Sequence, residues 1–352
     1  MREFVFQASL PRVVFGAGAL RHLPREVAAL GANRVLVLST PGQAAAAQRL
    51  IELLGPRAVG VFAQAAMHVP VATARAACDE ARRLGADCAV AIGGGSTTGL
   101  GKAIALETGL PVIAVPTTYA GSEMTTMYGL TEGGAKTTGR DPRVLPRCVI
   151  YDPELSCALP FGITVTSMIN AIAHAAEGLY APDANPVIDL VAEQGIRTGA
   201  AALPRLQRDE RDVDARGDAL VAAWCCGIVM GNITVGLHHK LCHTLGGSFN
   251  LPHAEVHTVV LPHAMAYNAA AAPSAMRRIA GALQAPSAAA GLFDLAARHG
   301  APTALKQIGM QESDLDRAAE IAVKTPYPNP RALARAAIRE LLQRAFDGVR
   351  PD

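Results

Sequence analysis

The first half of the chain alternates between short, continuous apolar runs and stretches in which apolar residues recur at helical spacing. Short apolar runs bounded by turn residues are typical of buried parallel strands, and the stretches between them are typical of crossover helices. The predicted strands are RVLVLS (34–39), AVGVFA (58–63), CAVAIG (88–93) and PVIAVP (111–116), and VATARAACDEARRL (71–84) is a predicted helix. This pattern predicts a doubly wound α/β domain.

After YDPELSCALP (151–160) the strand pattern gives way to long amphipathic stretches rich in alanine and leucine. Both residues favour helix, so the second half is predicted to be all-α. We therefore expect an α/β domain over 1–154 and a helical domain over 155–352. At the N-terminus, FVFQ (4–7) and RVVFG (12–16) flank turn residues and predict an additional hairpin at the sheet edge.

The composition indicates which kinds of molecule the protein binds. Among 352 residues, 32 Lys and Arg stand against 30 Asp and Glu, which argues against a nucleic acid or an anionic membrane surface. The sequence shows neither a signal-peptide pattern nor an apolar run long enough to span a membrane. Its seven cysteines are an odd number without a CxxC pair, which suits reduced thiols. We expect a cytoplasmic protein that acts on a small molecule.

A glycine-rich turn joins a predicted strand to a predicted helix in CAVAIGGGSTTGLGKAIA (88–105). Backbone N–H groups in such a turn can approach an anion, and the helix behind directs its positive dipole end at the same point. The spacing fits neither a Walker loop nor the GxGxxG fingerprint. PTTYAGSEM (116–124) follows the next strand at the same sheet edge, where open parallel sheets bind ligands. Together the two loops favour a nucleotide site over the alternative, two solvated turns with helix caps.

Histidines are concentrated in HHKLCHTLGGSFNLPHAEVH (238–257), which holds five of the chain's 10. Asn170 and His174 are four residues apart, as are His239 and His243, so each pair shares one face of a helix. With His253, this spacing indicates a site that binds a metal or handles protons. Six other histidines are interpreted as ordinary core or surface residues: His22, His68, His238, His257, His263 and His299.

Four motifs in register resemble the group III, iron-type alcohol dehydrogenase superfamily over essentially the whole chain. They are GGGS after a strand, PTT in the next loop, the AxxHAxE helix, and H-x3-H-x9-H from His239 to His253. Within it, residues 117–146 and HHKLCHTLGG look like the maleylacetate reductase branch. The resemblance implies an N-terminal dinucleotide-binding α/β domain and an all-α C-terminal domain (the dehydroquinate synthase-like fold), with catalysis in the cleft between them. It also implies NADH or NADPH as cofactor, and a homodimer.

The resemblance extends to individual residues. It implies a cofactor site made by Gly94, Gly95 and Ser96 at the pyrophosphate, Thr117 and Thr118 near the adenosine half, and Lys136 in the cofactor cleft. In metal-dependent relatives the positions of Asn170, His174, His239 and His253 carry the metal ligands, and that of His243 lies beside the nicotinamide. We expect these five residues to be catalytic here.

Three departures from the family pattern change the expected chemistry. Asn170 stands where the relatives have aspartate, so a hard cation loses its anionic ligand and no metal is expected, although three histidines can still hold zinc. Gly99 stands where an aspartate commonly follows GGGS, and Tyr119 alters the PTT loop. Ser39 ends the predicted strand RVLVLS. An acidic residue at this position would repel the 2′-phosphate of NADPH, so NADPH is possible beside NADH.

The implied substrate, maleylacetate, is a dicarboxylate with a carbon-carbon double bond conjugated to a ketone. Hydride addition β to the ketone gives an enolate, which His243 or His253 is expected to stabilise, and protonation completes 3-oxoadipate. The amide of Asn170 can donate to the anionic substrate. Lys240, Arg140 and Lys324 are candidates for binding its carboxylates.

Two alternatives remain open from the residues alone. One is a metal-dependent alcohol or aldehyde oxidoreductase of the same superfamily, which metal content would distinguish. The other is a histidine-rich metal-binding or regulatory protein that kept the fold and lost catalysis, which an absence of NADH binding would favour.

Overall fold

The computed structural model describes residues 3–133 and 135–352, and leaves aside the side chains of residues 135 and 136. The chain divides into two compact units. The N-terminal unit comprises residues 9–159 and 211–220. The C-terminal unit comprises residues 160–210 and 221–352, together with residues 3–8.

Parallel strands and flanking helices make up the N-terminal unit. Its strands are β1 (Arg12–Phe15), β2 (Val35–Leu38), β3 (Ala58–Phe62), β4 (Cys88–Gly93), β5 (Val112–Pro116), β6 (Met127–Glu132), β7 (Ala135–Arg140) and β8 (Cys148–Tyr151). Its helices are α1 (Leu23–Ala29), α2 (Ala44–Leu54), α3 (Val71–Arg83) and α4 (Gly95–Thr108). Six strands form one parallel sheet in the order β1-β8-β5-β4-β2-β3, and β6 and β7 form a separate antiparallel pair.

Both faces of the sheet are buried, and successive strand residues supply them alternately. In β4, Val90 and Ile92 pack on the face covered by α1 and α2, whereas Ala89 and Ala91 pack on the face covered by α3 and α4. The small residues on the second face let α4 approach closely. At Gly101 of α4, an added Cβ would lie 3.1 Å from a Val112 methyl group and 3.4 Å from the Ala91 methyl group.

The structure confirms the four predicted strands and the predicted helix, but the predicted N-terminal hairpin is wrong. Residues 4–7 form no strand, and β1 pairs in parallel with β8. The apolar run CVIY of β8 is fully buried and offers β1 a complete row of backbone partners, which FVFQ across a tight turn does not. The sequence analysis did not predict β8, β6 or β7.

Helices make up the C-terminal unit. They are α5 (Phe161–Gly178), α6 (Pro186–Arg208), the second part of α7 (Val213–Gly231), α8 (Leu237–Phe249), α9 (His253–Asn268), α10 (Pro273–Leu283), α11 (Ala288–Arg298), α12 (Leu315–Val323) and α13 (Arg335–Asp347). From Thr164 onward α5 is buried on all sides, and it packs against both α6 and α9. Because α8 also packs on α9, side chains of α5, α8 and α9 can meet. Among the described residues, no helix is both long and apolar enough to cross a membrane.

Two glycines of α5 provide a matched test of this packing. A Cβ at Gly178 would overlap the Val229 side chain, whereas a Cβ at Gly162 would meet nothing within 4 Å. We expect Gly178→Ala to lower the free energy of unfolding by about 1–3 kcal/mol through overpacking. Gly162→Ala should leave it unchanged or raise it by up to ~1 kcal/mol, because alanine favours helix. Urea unfolding of both variants checks this, and equal stabilities would contradict the packing of α5.

Candidate active site

The glycine turn, Gly93 to Ser96, lies at the carboxyl end of β4, where the sheet order reverses between β2 and β4. Ligands of open α/β sheets bind at this point. Gly93 has a φ of 149°, a conformation that favours glycine. A Cβ on Gly94 would lie 2.9 Å from Thr118 Oγ1, so the turn has room only for backbone. Helix α4 begins at Gly95 and directs its first N–H groups at this space, which fits a dinucleotide pyrophosphate.

The loop after β5 is tied directly to the glycine turn. The Thr117 N–H donates to the Gly93 carbonyl (3.0 Å), and the Gln43 amide donates to Thr117 Oγ1 (2.8 Å). Ser39, just after β2, is buried, and its hydroxyl has no hydrogen-bond partner among the described residues. The structure thus brings together Ser39, Gly94, Gly95, Ser96, Thr117 and Thr118 at one sheet edge. Lys136 lies in β7, and its side chain is outside the described residues.

A buried lysine on α4, Lys102, holds the segment that follows this loop. Its ammonium lies within hydrogen-bonding distance of the carbonyls of Ser122 (2.6 Å), Thr125 (2.8 Å) and Met127 (2.7 Å), and of Thr125 Oγ1 (2.9 Å). Burial lowers the pKa of Lys102 to about 7. Lys102 therefore anchors the loop rather than pointing at a phosphate, a role that the sequence analysis missed.

The two departures near the cofactor loops have structural reasons. Tyr119 is fully buried, and its hydroxyl accepts a hydrogen bond from Arg216 (2.9 Å), which also donates to the Leu159 carbonyl (2.9 Å). Tyr119 thus anchors the loop within the N-terminal unit. At Gly99, an added Cβ would lie 2.6 Å from a methyl group of Val69, so an aspartate there would displace Val69.

In the C-terminal unit, six imidazoles from α5, α8 and α9 form the histidine cluster: His174, His238, His239, His243, His253 and His257. The rings of His174 and His239 stack with their centroids 5.2 Å apart, and His243 lies 6.2 Å from His239. His257 is at the centre, with ring centroids 5.1 Å from His239 and 4.5 Å from His253. The cluster therefore contains every histidine predicted to be catalytic.

Glu177, at the end of α5, organises the start of α8. Its fully buried carboxylate accepts the backbone N–H of His238 (2.9 Å) and of His239 (3.4 Å), and the Tyr180 hydroxyl (3.2 Å). It also pairs with Nδ1 of the His239 ring. A carboxylate only accepts, so Nδ1 carries the proton and Nε2 of His239 points into the cluster.

Four buried polar atoms in and beside the cluster have no hydrogen-bond partner among the described residues: Asn170 Oδ1, His174 Nδ1, His239 Nε2 and His257 Nε2. Burial, followed by the neighbouring imidazoles, holds the pKa of His174 well below its usual value. The same causes lower the pKa values of His238 and His257. A buried polar atom without a partner costs about 1–3 kcal/mol, so these atoms mark a place for a ligand.

The sequence analysis missed Glu177, His238 and His257. The signals were present, because Glu177 ends the AxxHAxE motif, and His257 follows His253 by the same four-residue step as the other pairs. What the spacing does not reveal is that α5 meets the start of α8. That contact makes Glu177 the partner of His239.

Comparison with known proteins places the chain in a family. Residues 11–153 match the model of iron-containing alcohol dehydrogenases, and residues 164–346 match that of the C-terminal region of the Fe-containing alcohol dehydrogenase family. The chain belongs to the iron-containing alcohol dehydrogenase family, as its motifs predicted. It is therefore an oxidoreductase of this nicotinamide-dependent family.

Full-length relatives within this family are maleylacetate reductases. The chain is 65% identical over 351 residues to the maleylacetate reductase of Burkholderia cepacia, covering 100% of both chains. It is 54% identical to that of Pseudomonas sp. (strain P51), covering 99% of both. The crystal structure of maleylacetate reductase from Agrobacterium tumefaciens is 52% identical, covers 100% of both chains and superposes with a TM-score of 0.96.

The family name implies iron, and the residues at the predicted ligand positions do not fit that ion. Tetrahedral nitrogen ligands of a metal lie about 3.4 Å apart. Among the described residues, the only group of three or more His, Cys, Asp or Glu whose ligand atoms all lie within 4.8 Å of one another is His238, Cys242 and His257. The ligand atoms of His174, His239 and His253 therefore do not all lie within 4.8 Å of one another. Asn170 also supplies no charge to a hard cation.

Lys102 allows a test by pH. Its pKa is lowered from 10.5 to about 7 in the folded protein. Between these values the unfolded chain keeps a proton that the folded protein has released, so the free energy of unfolding rises with pH in this window. The stability difference between wild type and Lys102→Met should therefore rise above about pH 7, by up to about 1.4 kcal/mol per pH unit. Urea unfolding across this range checks it, and a difference independent of pH would contradict the buried, readily deprotonated lysine.

Proposed function

We propose that this protein reduces the carbon-carbon double bond of maleylacetate to 3-oxoadipate with NADH or NADPH, in the degradation of aromatic compounds. The observation that carries the proposal is the group of three unpartnered polar atoms on Asn170, His174 and His239, beside a carboxylate that orients His239. The full-length maleylacetate reductase relatives support the choice of substrate.

The substrate's conjugation determines what the protein must supply. Hydride addition to the alkene carbon β to the ketone breaks the carbon-carbon π bond and moves an electron pair toward the ketone oxygen. The resulting enolate then takes a proton at the carbon α to the ketone. The protein must therefore offer hydrogen-bond donors to the oxygen and a proton to the carbon.

The histidine cluster can meet both needs without a metal ion. When His239 carries a proton on both ring nitrogens, Nδ1 donates to Glu177 and Nε2 donates to the enolate oxygen. The amide of Asn170 donates beside it. His243 and His253 are only partly buried, so they can exchange protons with solvent and deliver one to the enolate carbon. His174 is held neutral by burial and contributes a hydrogen bond rather than a charge.

The cofactor belongs at the glycine turn in this proposal. Gly94, Gly95 and Ser96 would hold the pyrophosphate, with Thr117 and Thr118 toward the adenosine half. The reduced nicotinamide supplies the hydride when bound. Ser39 presents a hydroxyl rather than a carboxylate at the end of β2, so nothing at that residue repels the 2′-phosphate of NADPH.

Cations for the two substrate carboxylates come from outside the cluster. Lys240 follows His239 on α8, and its ammonium lies 3.3 Å from Thr325 Oγ1. We propose Lys240 as one carboxylate partner, with Arg140 or Lys324 as the second, because ammonium and guanidinium groups form charge-assisted hydrogen bonds with carboxylates.

We propose a cytoplasmic homodimer as the working form. All seven cysteines are free thiols, which suits a reducing compartment. Within the part of the chain that the structure describes, β1 lies at the sheet edge and pairs with β8 alone, and Phe15 at its end is 38% exposed. An open edge of this kind is stabilised when a second copy covers it.

Turnover before and after exhaustive chelation tests the proposed function. We expect oxidation of NADH that depends on maleylacetate, and the same rate after chelation, because no step needs a metal. After chelation, the metal content of the assayed sample should be well below one per chain. Loss of activity that zinc or iron restores would favour the metal-dependent alcohol or aldehyde oxidoreductase, for which the unpartnered Asn170 Oδ1 and His239 Nε2 would be ligands.

Replacing the carboxylate of Glu177 tests the role of His239. Glu177→Gln keeps the size of the side chain but replaces the carboxylate that accepts from His239 Nδ1 with a neutral amide, so kcat for maleylacetate should fall about 100-fold, with NADH affinity unchanged. Glu26→Gln is the matched control, because Glu26 is another buried carboxylate, bound by Arg12 and Arg25 of the N-terminal unit. It should lower stability and keep kcat. An equal fall in kcat for both variants would contradict a specific role for Glu177.

A further inference from the structure

His238, Cys242 and His257 form a compact donor set within the C-terminal unit, separate from the ligand positions of the family. The distance from His238 Nε2 to His257 Nδ1 is 2.9 Å, and Cys242 Sγ lies 3.6 Å from His238 Nε2. Around a tetrahedral zinc, a sulfur and a nitrogen ligand are about 3.6 Å apart and two nitrogen ligands about 3.4 Å apart. The two imidazole nitrogens would need to separate by about half an ångström, and all three ligand atoms already lie within 4.8 Å of one another.

The fold holds these three side chains in place. His238 and Cys242 are one turn apart on α8, and His257 lies on α9, which packs against it. All three are fully buried. The N–H of His238 is held by Glu177, which fixes the start of α8. Such rigid, convergent donors are what a structural metal site requires.

We propose that His238, Cys242 and His257 form a binding site for a thiophilic d10 cation, with Zn²⁺ as its occupant. One thiolate and two imidazoles are soft and borderline ligands, which select zinc over iron, magnesium or calcium. On binding, Cys242 releases its thiol proton to solvent and forms the sulfur–metal bond, with no change of oxidation state. The proton shared by the two imidazoles moves to His238 Nδ1 or His257 Nε2, which leaves both ligands neutral.

The balance of charges around Cys242 supports a divalent cation at this site. Glu177 lies close enough to Cys242 to raise the pKa of its thiol further, after the larger effect of burial. An isolated thiolate there is therefore unfavourable. A divalent cation with the Cys242 thiolate and the Glu177 carboxylate is neutral in total, so burial no longer opposes the charged thiolate. His257 Nε2, buried without a partner among the described residues, is free to carry the displaced proton.

The site goes beyond the proposed reduction, which uses Asn170, His174 and His239 and needs no metal. The two proposals therefore fail separately. Measuring activity after chelation tests the proposed reduction. Identifying the ligands of an added metal tests the proposed zinc site.

Cobalt substitution tests the site in the full-length protein. Metal-free, reduced protein loaded with Co²⁺ should develop a thiolate-to-cobalt charge-transfer absorption that saturates at one cobalt per chain and that Zn²⁺ abolishes. Cys242→Ser should lose this band. Cys226→Ser, which alters another fully buried cysteine on α7, should keep it. Absence of the band in wild type, or its persistence in Cys242→Ser, would overturn the proposal.

X-ray absorption of the zinc-loaded wild type gives a test that does not depend on a variant folding. We expect one sulfur ligand at about 2.3 Å and nitrogen ligands at about 2.0 Å. A zinc shell of nitrogen and oxygen alone would overturn the proposal, and would instead locate the metal at the family's ligand positions or on the surface.

Discussion

The C-terminal unit depends on the hydrogen bonds that the buried carboxylate of Glu177 accepts. A fully buried carboxylate is strongly unfavourable unless donors surround it. Here two backbone N–H groups at the start of α8, one hydroxyl and the His239 ring supply them. The first N–H groups of a helix have no partner within the helix, so Glu177 and α8 satisfy each other. The same contact determines which nitrogen of His239 faces the histidine cluster.

The N-terminal unit contains the opposite case, a buried cationic side chain, that of Lys102. There a buried ammonium is surrounded by three main-chain carbonyls and one hydroxyl, all from the segment that follows the cofactor loop. In both units a single buried charge thus organises main chain that has no regular hydrogen-bond ladder of its own. Each charge fixes the backbone next to a proposed binding site. In the N-terminal unit this site is the glycine turn, and in the C-terminal unit it is the histidine cluster.

Much of the fold follows from local pattern, and the exceptions share a cause. The strands of RVLVLS and CAVAIG were predictable because strands buried on both faces are continuously apolar. The pairing of β1 with β8 was not, because the partner is more than a hundred residues away and CVIY stands alone beside a predicted boundary. For the site, helical spacing predicted that Asn170 shares a helix face with His174 and that His239 shares one with His243. The roles of Glu177, His257 and Lys102 depend on which helices and loops meet, and periodicity does not encode that.

The most direct test of the account is the protonation of the His239 ring in the folded, unliganded protein. Nitrogen-15 NMR of the histidine side chains, with His239 assigned by its loss in His239→Asn, reports whether Nδ1 or Nε2 carries a proton. The account predicts a proton on Nδ1, strongly deshielded by its hydrogen bond to Glu177, and a changed resonance in Glu177→Gln. An Nδ1 without a proton would contradict it, because His239 could then not donate a hydrogen bond to Glu177, and the carboxylate would have another role.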